Sequence, residues 1–163
     1  MNKLILIAAI GKNNELGKNN DLIWHIKEDM KFFKEHTMNH HILMGFNTFL
    51  SLPKLLPGRK HIILTTKNKY GFSDEVIVVN SIEEFNNLKK SIEDDIYVIG
   101  GAKVYSEMIP YADLIYLTEI EDECIDADVY FPKFKDEDYE KEVILENKEN
   151  NPPFKHVLYK KRT

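Results

Sequence analysis

The sequence predicts an α/β fold: a central, mostly parallel eight-stranded sheet with antiparallel C-terminal strands, flanked by about four helices. Two observations lead to it. Through the first two-thirds of the chain, near-continuous apolar runs alternate with segments of helical period, the pattern of strands buried on both faces and joined by crossover helices. The final apolar runs follow one another without a clear helical segment between them, which suits antiparallel strands added at one edge.

The first strand is "KLILIAAI" (3–10). It precedes "GKNNELGKNND" (11–21), whose two glycines and four asparagines read as a long loop. On a helix of about 100° per residue, "LIWHIKEDMKFFKEH" (22–36) places Ile26, Met30, Phe33 and Thr37 on one side. Lys27, Glu28, Lys31, Lys34 and Glu35 fall on the other. Asp29 does not join them; it lies inside the apolar arc, between Phe32 and the Ile26–Phe33 line. Either it sits at the arc's edge and reaches water, or the arc faces a cleft where a desolvated carboxylate binds a ligand or moves protons. The helix alone leaves both readings open.

"HILMG" (41–45) is a second buried strand and leads into a short helix near 47–51. "HIILTT" (61–66), "EVIVVN" (75–80) and "DIYVIGG" (95–101) are further strands. "SIEEFNNLKKSI" (81–92) is a helix opened by a capping box, with Ser81 as N-cap and Glu84 three residues on. "AKVYSEMI" (102–109) is a helix stopped by Pro110. "LIYLTEI" (114–120), "EKEVILE" (140–146) and "HVLYKKR" (156–162) are the last strands.

With 163 residues, 43% of them hydrophobic, the chain can build one sizeable core, and 1–163 reads as a single domain. A net charge of −5 argues against a general nucleic-acid binder. The lone Cys124 allows no internal disulfide and no zinc cluster, and a reducing compartment fits. The apolar run Leu4 to Ile10 is a strand rather than a signal peptide, and no run is long enough to cross a membrane.

Parallel sheets bind ligands beyond the carboxyl ends of their strands. Ala9, Gly45, Thr65–Thr66 and Gly100–Gly101 lie there. "VIGGAKVY" (98–105) runs strand, Gly-Gly, helix, and is either a tight turn or a place where a phosphate meets backbone N–H groups. "MGFNTF" (44–49) repeats the pattern, and "LTTKNK" (64–69) adds hydroxyls and lysines. Arg59, after the turn in "LPGRK", either grips a carboxylate or stays solvated. The tandem His40–His41 lacks an evident third ligand, so no metal site is expected. Thr118, mid-strand, either bonds a buried acid or alternates outward.

Together, "LGKNNDLIW" followed by Asp29, then "MGFNT", "LPGRKHIIL", "VIGGAKVY", "YLTEI" and "DADVYFP" closely resemble the dihydrofolate reductase family of the small bacterial monofunctional type, along nearly the whole chain. The resemblance implies hydride transfer from NADPH to dihydrofolate by a cytoplasmic monomer. It implies that Asp29, supported by Thr118, binds the pterin through its 2-amino group and N3. Ile7, Ala8, Phe33, Leu52, Leu56 and Ile99 would line the folate pocket. Arg59 would hold the α-carboxylate of the glutamate tail, with Lys34 and Lys54 adding charge. Residues 12–25 match the mobile active-site loop, with Leu22 near the nicotinamide and Trp24 beside the pterin.

For the cofactor, the resemblance implies contacts from Ala9, Leu16, Gly17 and Leu22, and from the turn of Gly45, Phe46, Asn47 and Thr48. Leu64, Thr65, Thr66 and Lys67 would meet the adenosine 2′-phosphate. Ile99, Gly100, Gly101, Ala102 and Lys103 would meet the other phosphates together with the Gly45–Thr48 turn, Val104 and Tyr105 would also contact the cofactor, and the peptide between the two glycines would be cis. Three positions depart from the family: Phe46 replaces an arginine, and Ile23 and Lys27 replace prolines. A pyrimidine reductase of the same fold and a non-catalytic folate- or nucleotide-binding module are the alternatives. The first would not need the Trp24–Asp29–Arg59 set, and loss of Asp29 or the glycines would have marked the second.

Overall fold

A computed structural model of the chain describes residues 2–19 and 21–163. In chain order its elements are β1 (Leu4–Ile10), β2 (Glu15–Lys18), β3 (Asp21–Leu22), α1 (Lys27–Thr37), β4 (His41–Gly45), α2 (Phe46–Ser51), β5 (Lys60–Leu64) and β6 (Val76–Val79). There follow α3 (Ile82–Lys89), β7 (Ile96–Gly100), α4 (Ala102–Met108), β8 (Leu114–Ile120), β9 (Val129–Tyr130), β10 (Tyr139–Asn147) and β11 (Phe154–Lys161). Eight strands form one sheet in the order β10-β11-β8-β1-β7-β4-β5-β6. All neighbours from β8 to β6 are parallel, and β11 and β10 add antiparallel at one edge. Among the described residues, no helix is long and apolar enough to cross a membrane.

The sheet is buried on both faces because β1 contributes apolar residues at both parities. Leu4 and Leu6 pack with Leu43, Ile62, Val98, Phe85 of α3 and Val104, Tyr105 and Met108 of α4. Ile5 and Ile7 pack on the opposite face with Ile42, Met44, Ile63 and Tyr97, against Phe32 and Phe33 of α1. The connection leaving β1 passes over β7 to reach β4, and the one leaving β7 passes over β1 to reach β8. These opposed crossovers make β1/β7 the topological switch point, where a crevice opens beyond the strand ends.

The expected helix over 22–36 begins only at Lys27. Leu22 and Asp21 pair with Gly17 and Lys18, so the chain is extended there; apolar periodicity carries no sign of a partner strand. Met30 is 56% exposed, and the inward arc of α1 is instead rotated toward Phe32, which meets Tyr116 and His156 on the sheet. Ser81 caps α3 by accepting from the backbone N–H of Glu84 at 3.0 Å. α4 ends at Met108 and passes into a 3₁₀ turn, Ile109–Tyr111, that contains Pro110.

The segment 11–21 is not a plain loop. β2 and β3 join β9 in a second, three-stranded sheet. Its anchor is Glu15, 1% exposed, whose carboxylate accepts from the backbone N–H groups of Asn13 (2.7 Å) and Cys124 (2.8 Å). Burial alone would raise the pKa of this acid, but the backbone donors outweigh it and hold the carboxyl below its usual value of 4.5. A buried anion with two backbone donors thus replaces the apolar anchor that alternation would suggest.

Glu15→Gln presents an amide N–H to donors that need acceptors, and should destabilise the fold by about 1–3 kcal/mol at neutral pH. Since the folded pKa is depressed, this contribution is fully present above pH 4.5 and fades as pH falls through the lower folded value. Urea denaturation of both proteins should therefore show a gap at pH 7 that closes in acid; a pH-independent gap would refute the charge-based account.

Candidate active site

The strands β1, β4, β5, β7 and β8 run in one direction, so Ala9, Gly45, Leu64, Gly100 and Thr118 come to the same end of the sheet. α1 crosses this end with Asp29 in its first turn, where unpaired backbone N–H groups favour an anion. Ile26 serves as N-cap and makes no side-chain cap hydrogen bond. The Asp29 side chain, 20% exposed, is neither solvated at an edge nor sealed in. Its Oδ1 accepts from Thr118 Oγ1 at 2.5 Å and lies 3.2 Å from His156 Nε2.

An apolar wall continues from the carboxylate. Phe33, Leu52, Leu56 and Ile99 are partly buried against Ile7 and Met44. Leu56 is fixed through its backbone N–H, which donates to His61 Nε2 at 3.0 Å. Burial lowers the pKa of that imidazole, which suits a neutral acceptor. At the far end, Arg59 donates to the Pro57 carbonyl (3.0 Å) and to Thr37 Oγ1 (3.3 Å), and partial burial lowers its pKa. Arginine remains charged regardless, and among the described residues only two of its five N–H donors are engaged. Lys34 and Lys54 are exposed and unpaired among the described residues.

Across the sheet the two glycine turns meet. A Cβ on Gly45 would lie 3.0 Å from Val104 Cγ2 and 4.0 Å from the Gly101 nitrogen. Cβ atoms on Gly100 and Gly101 would each lie 3.4 Å from Thr48 Oγ1. Gly100 has φ +133°, a conformation open to glycine, and its peptide bond to Gly101 is cis as the resemblance implies. Ala102 and Lys103 start α4, whereas Val104 and Tyr105 turn into the core. The Tyr105 hydroxyl donates to the Ile7 carbonyl at 2.7 Å, and complete burial pushes its pKa far up. Tyr105 therefore braces the glycine turn from beneath.

After β5, Thr65 and Lys67 are held by Asn80, whose amide donates to their carbonyls at 2.6 and 2.9 Å. Lys67 Nζ stands 4.8 Å over the ring of Phe46, which also meets Phe72 edge-on. Thr66 is exposed beside them, and Asn47 follows Phe46 in α2. On the remaining side, Leu16 packs on the core and Gly17 and Leu22 are paired across β2 and β3. Leu22 is 54% exposed. The Trp24 indole N–H donates to Asp122 at 2.9 Å and lowers that acid's pKa. Trp24 also packs with Ala9 against Ile26, Ile120 and Phe154.

This arrangement, a held carboxylate facing an apolar wall on one side and bare backbone turns on the other, matches a known family. A family model described as dihydrofolate reductase matches residues 3–161. The chain belongs to the dihydrofolate reductase family. It is 34% identical to dihydrofolate reductase of Bacillus subtilis over 159 residues, covering 96% of this chain and 93% of that one. It is 32% identical to the Staphylococcus haemolyticus enzyme with the same coverage. A solved structure of dihydrofolate reductase from Enterococcus faecalis complexed with NADP(H) and RAB-propyl superposes with a TM-score of 0.89 at 30% identity, covering 99% of this chain and 97% of that one. In this dihydrofolate reductase fold the structure brings Asp29, Thr118, Ile7, Phe33 and the glycine turns to one end of the sheet.

Sequence reasoning missed His156, Asn80 and Asp122. Each acts across strands or loops, so its partner becomes visible only once register is known. Tyr105→Phe removes the donor from the Ile7 carbonyl and should destabilise the apo protein by about 1–2 kcal/mol. Urea denaturation measures this, and an unchanged midpoint and slope would show that the hydroxyl braces nothing.

Proposed function

We propose that the chain catalyses NADPH-dependent reduction of 7,8-dihydrofolate to 5,6,7,8-tetrahydrofolate, which feeds one-carbon metabolism, and that it works as a single-domain cytoplasmic monomer without nucleic-acid partners. The observation that carries the reading is the Asp29 carboxylate, held by donors at the mouth of an apolar wall. A pterin is flat and largely apolar with a pair of donors at one end, and the Asp29 carboxylate with Phe33 and Ile7 complements both features. Arg59 binds the carboxylate of the glutamate tail with its unused N–H donors, assisted by Lys34 and Lys54. Leu52, Leu56, Ala8 and Ile99 complete the folate pocket.

The residues present fit NADPH. Gly45, Gly100 and Gly101 leave a cradle that Cβ atoms would fill, bounded by Thr48 and Val104. The backbone of Gly45 to Thr48 and Ile99 to Lys103 holds its phosphates, and Leu64 to Lys67 hold the 2′-phosphate. Lys67 over Phe46 supplies the cation that the family places at residue 46. When bound, NADPH supplies the hydride. Asp29 orients the pterin and favours its N5-protonated form electrostatically, while water admitted beside Leu22 and Trp24 delivers the proton. Ala9, Leu16 and Gly17 close the nicotinamide side.

NADPH oxidation followed with and without dihydrofolate tests this directly; no substrate-dependent rate would overturn it. Replacing Lys67 by Gln should lower the preference for NADPH over NADH by about tenfold, the loss of one charge-assisted contact. Equal kcat/KM for the two cofactors in the unmodified protein would sink that assignment. Asp29→Asn keeps an acceptor for Thr118 and His156 but removes the charge. It should fold and bind NADPH, lose most turnover at neutral pH, and recover part of it in acid, where more substrate is protonated in solution. Near-normal turnover at neutral pH would mean that Asp29 has no electrostatic part in the reaction.

A further inference from the structure

His156 sits deeper than the acid it touches. Its side chain is 4% exposed against 20% for Asp29. It reaches Asp29 by register: β11 pairs antiparallel with β8 so that His156 lies directly opposite Thr118. Opposed residues in such a pair share a face, so both point at the first turn of α1. The imidazole is clamped between rings, stacked on Phe32 at 3.8 Å and 22°, with Phe154 at 5.3 Å on the strand. A ring so packed has little freedom to turn its nitrogen away.

Asp29 as a carboxylate offers only acceptors. Thr118 and His156 both direct their polar atoms to Oδ1, and Oδ2 has no hydrogen-bond partner among the described residues. The 3.2 Å contact therefore requires the proton on Nε2 of the imidazole. We propose that His156 is a positioning residue for Asp29: its Nε2–H donates with the Thr118 hydroxyl to Oδ1, fixes the orientation of the carboxylate, and leaves Oδ2 to meet the donors of the pterin. This deepens the proposed reaction at the same site and rests on it. An ordinary core histidine would satisfy itself on a backbone carbonyl, as His36 does on the carbonyl of Phe32 at 2.9 Å.

Other titratable groups around the imidazole are few. On α1, beyond Asp29, the ring of His36 lies tilted against the same Phe32 at 4.1 Å. On β8, Tyr116 meets Phe32 edge-on at 5.8 Å, and its hydroxyl pKa is raised by burial and then by Glu142 of β10. Glu119 lies on the opposite face of β8, where Tyr159 donates to it. Glu28, the other acid of the first turn, bonds Asn147 outside the site at 3.2 Å. Among the described residues, Asp29 is thus the one carboxylate that His156 contacts directly.

Two variants separate donation from packing. His156→Phe keeps an aromatic ring against Phe32 and removes the donor; His156→Gln restores an N–H near the position of Nε2. Folate binding, followed by quenching of the single tryptophan between about pH 5 and 8, reads the state of the acid. In His156→Phe the loss of affinity on the acid side should move to higher pH by about one unit, the size of one lost charge-assisted bond. His156→Gln should move it back, and NADPH affinity should stay unchanged in both. Superimposable profiles in all three proteins, or a Gln variant that behaves as Phe, would overturn the proposal. The apo protein gives an independent reading by nitrogen-15 NMR of its histidines. His156 should carry its proton on Nε2, and that resonance should move in Asp29→Asn. A proton on Nδ1, or an unmoved resonance, would refute the contact even if dihydrofolate is turned over; absence of turnover with the NMR result intact would count against the reaction and not against the pairing.

Discussion

A carboxylate withdrawn from water needs donors to meet it, and the fold brings them to Asp29 from two strands. β8 contributes the Thr118 hydroxyl and β11 the His156 ring, both at Oδ1, beside the first turn of α1 that carries the acid. Neither donor lies near Asp29 in sequence. The convergence rests on register: sliding β11 by one residue against β8 would send His156 to the opposite face and bring Lys155 or Val157 under the acid. The antiparallel strands added to a parallel sheet thus do more than widen it, because they complete the surroundings of its one polar focus.

The other half of the cleft relies on a different physics. There the side chains are absent rather than charged: three glycines let backbone and ligand approach closely, and the polar groups are peptide N–H and C=O. Such a surface needs rigid support from below. Tyr105 provides it by filling the space under Gly100 and fastening α4 to β1 across β7 through one buried hydrogen bond. Farther out, Asn80 bridges two carbonyls of the loop after β5, so an outer wall without regular structure keeps a fixed shape.

The eight strands of the main sheet were legible because continuous apolar runs need no partner to be recognised, and α3 was legible from Ser81 and Glu84. The second sheet was hidden: β2, β3 and β9 are two to four residues long, carry no apolar run, and are defined by pairing alone. Asp29 drew notice because an acid in an apolar arc breaks the helical pattern, although the arc itself is rotated and leaves Met30 outside. The glycine turns, Thr118 and Arg59 stood out in the residues themselves, and their roles followed from the resemblance. His156 and Glu15 did not, since a histidine in "KHVLYKK" or a glutamate in a polar loop is unremarked until a strand 100 residues away is laid beside it.

The position of β1 bears on how the chain reaches this structure. The first strand is the centre of the sheet, yet its two neighbours are drawn from the far end: Leu4 pairs with Ile96, and Ile5 with Leu114. During synthesis this apolar segment therefore emerges well before its partners β7 and β8 and waits unpaired for them. Contacts of such long sequence separation incur loop-closure entropy before they return any stabilisation, a cost that slows folding in topologies of this kind. Residues 11–21, polar and studded with asparagine and glycine, follow immediately and keep that nascent strand in soluble company until its partners arrive.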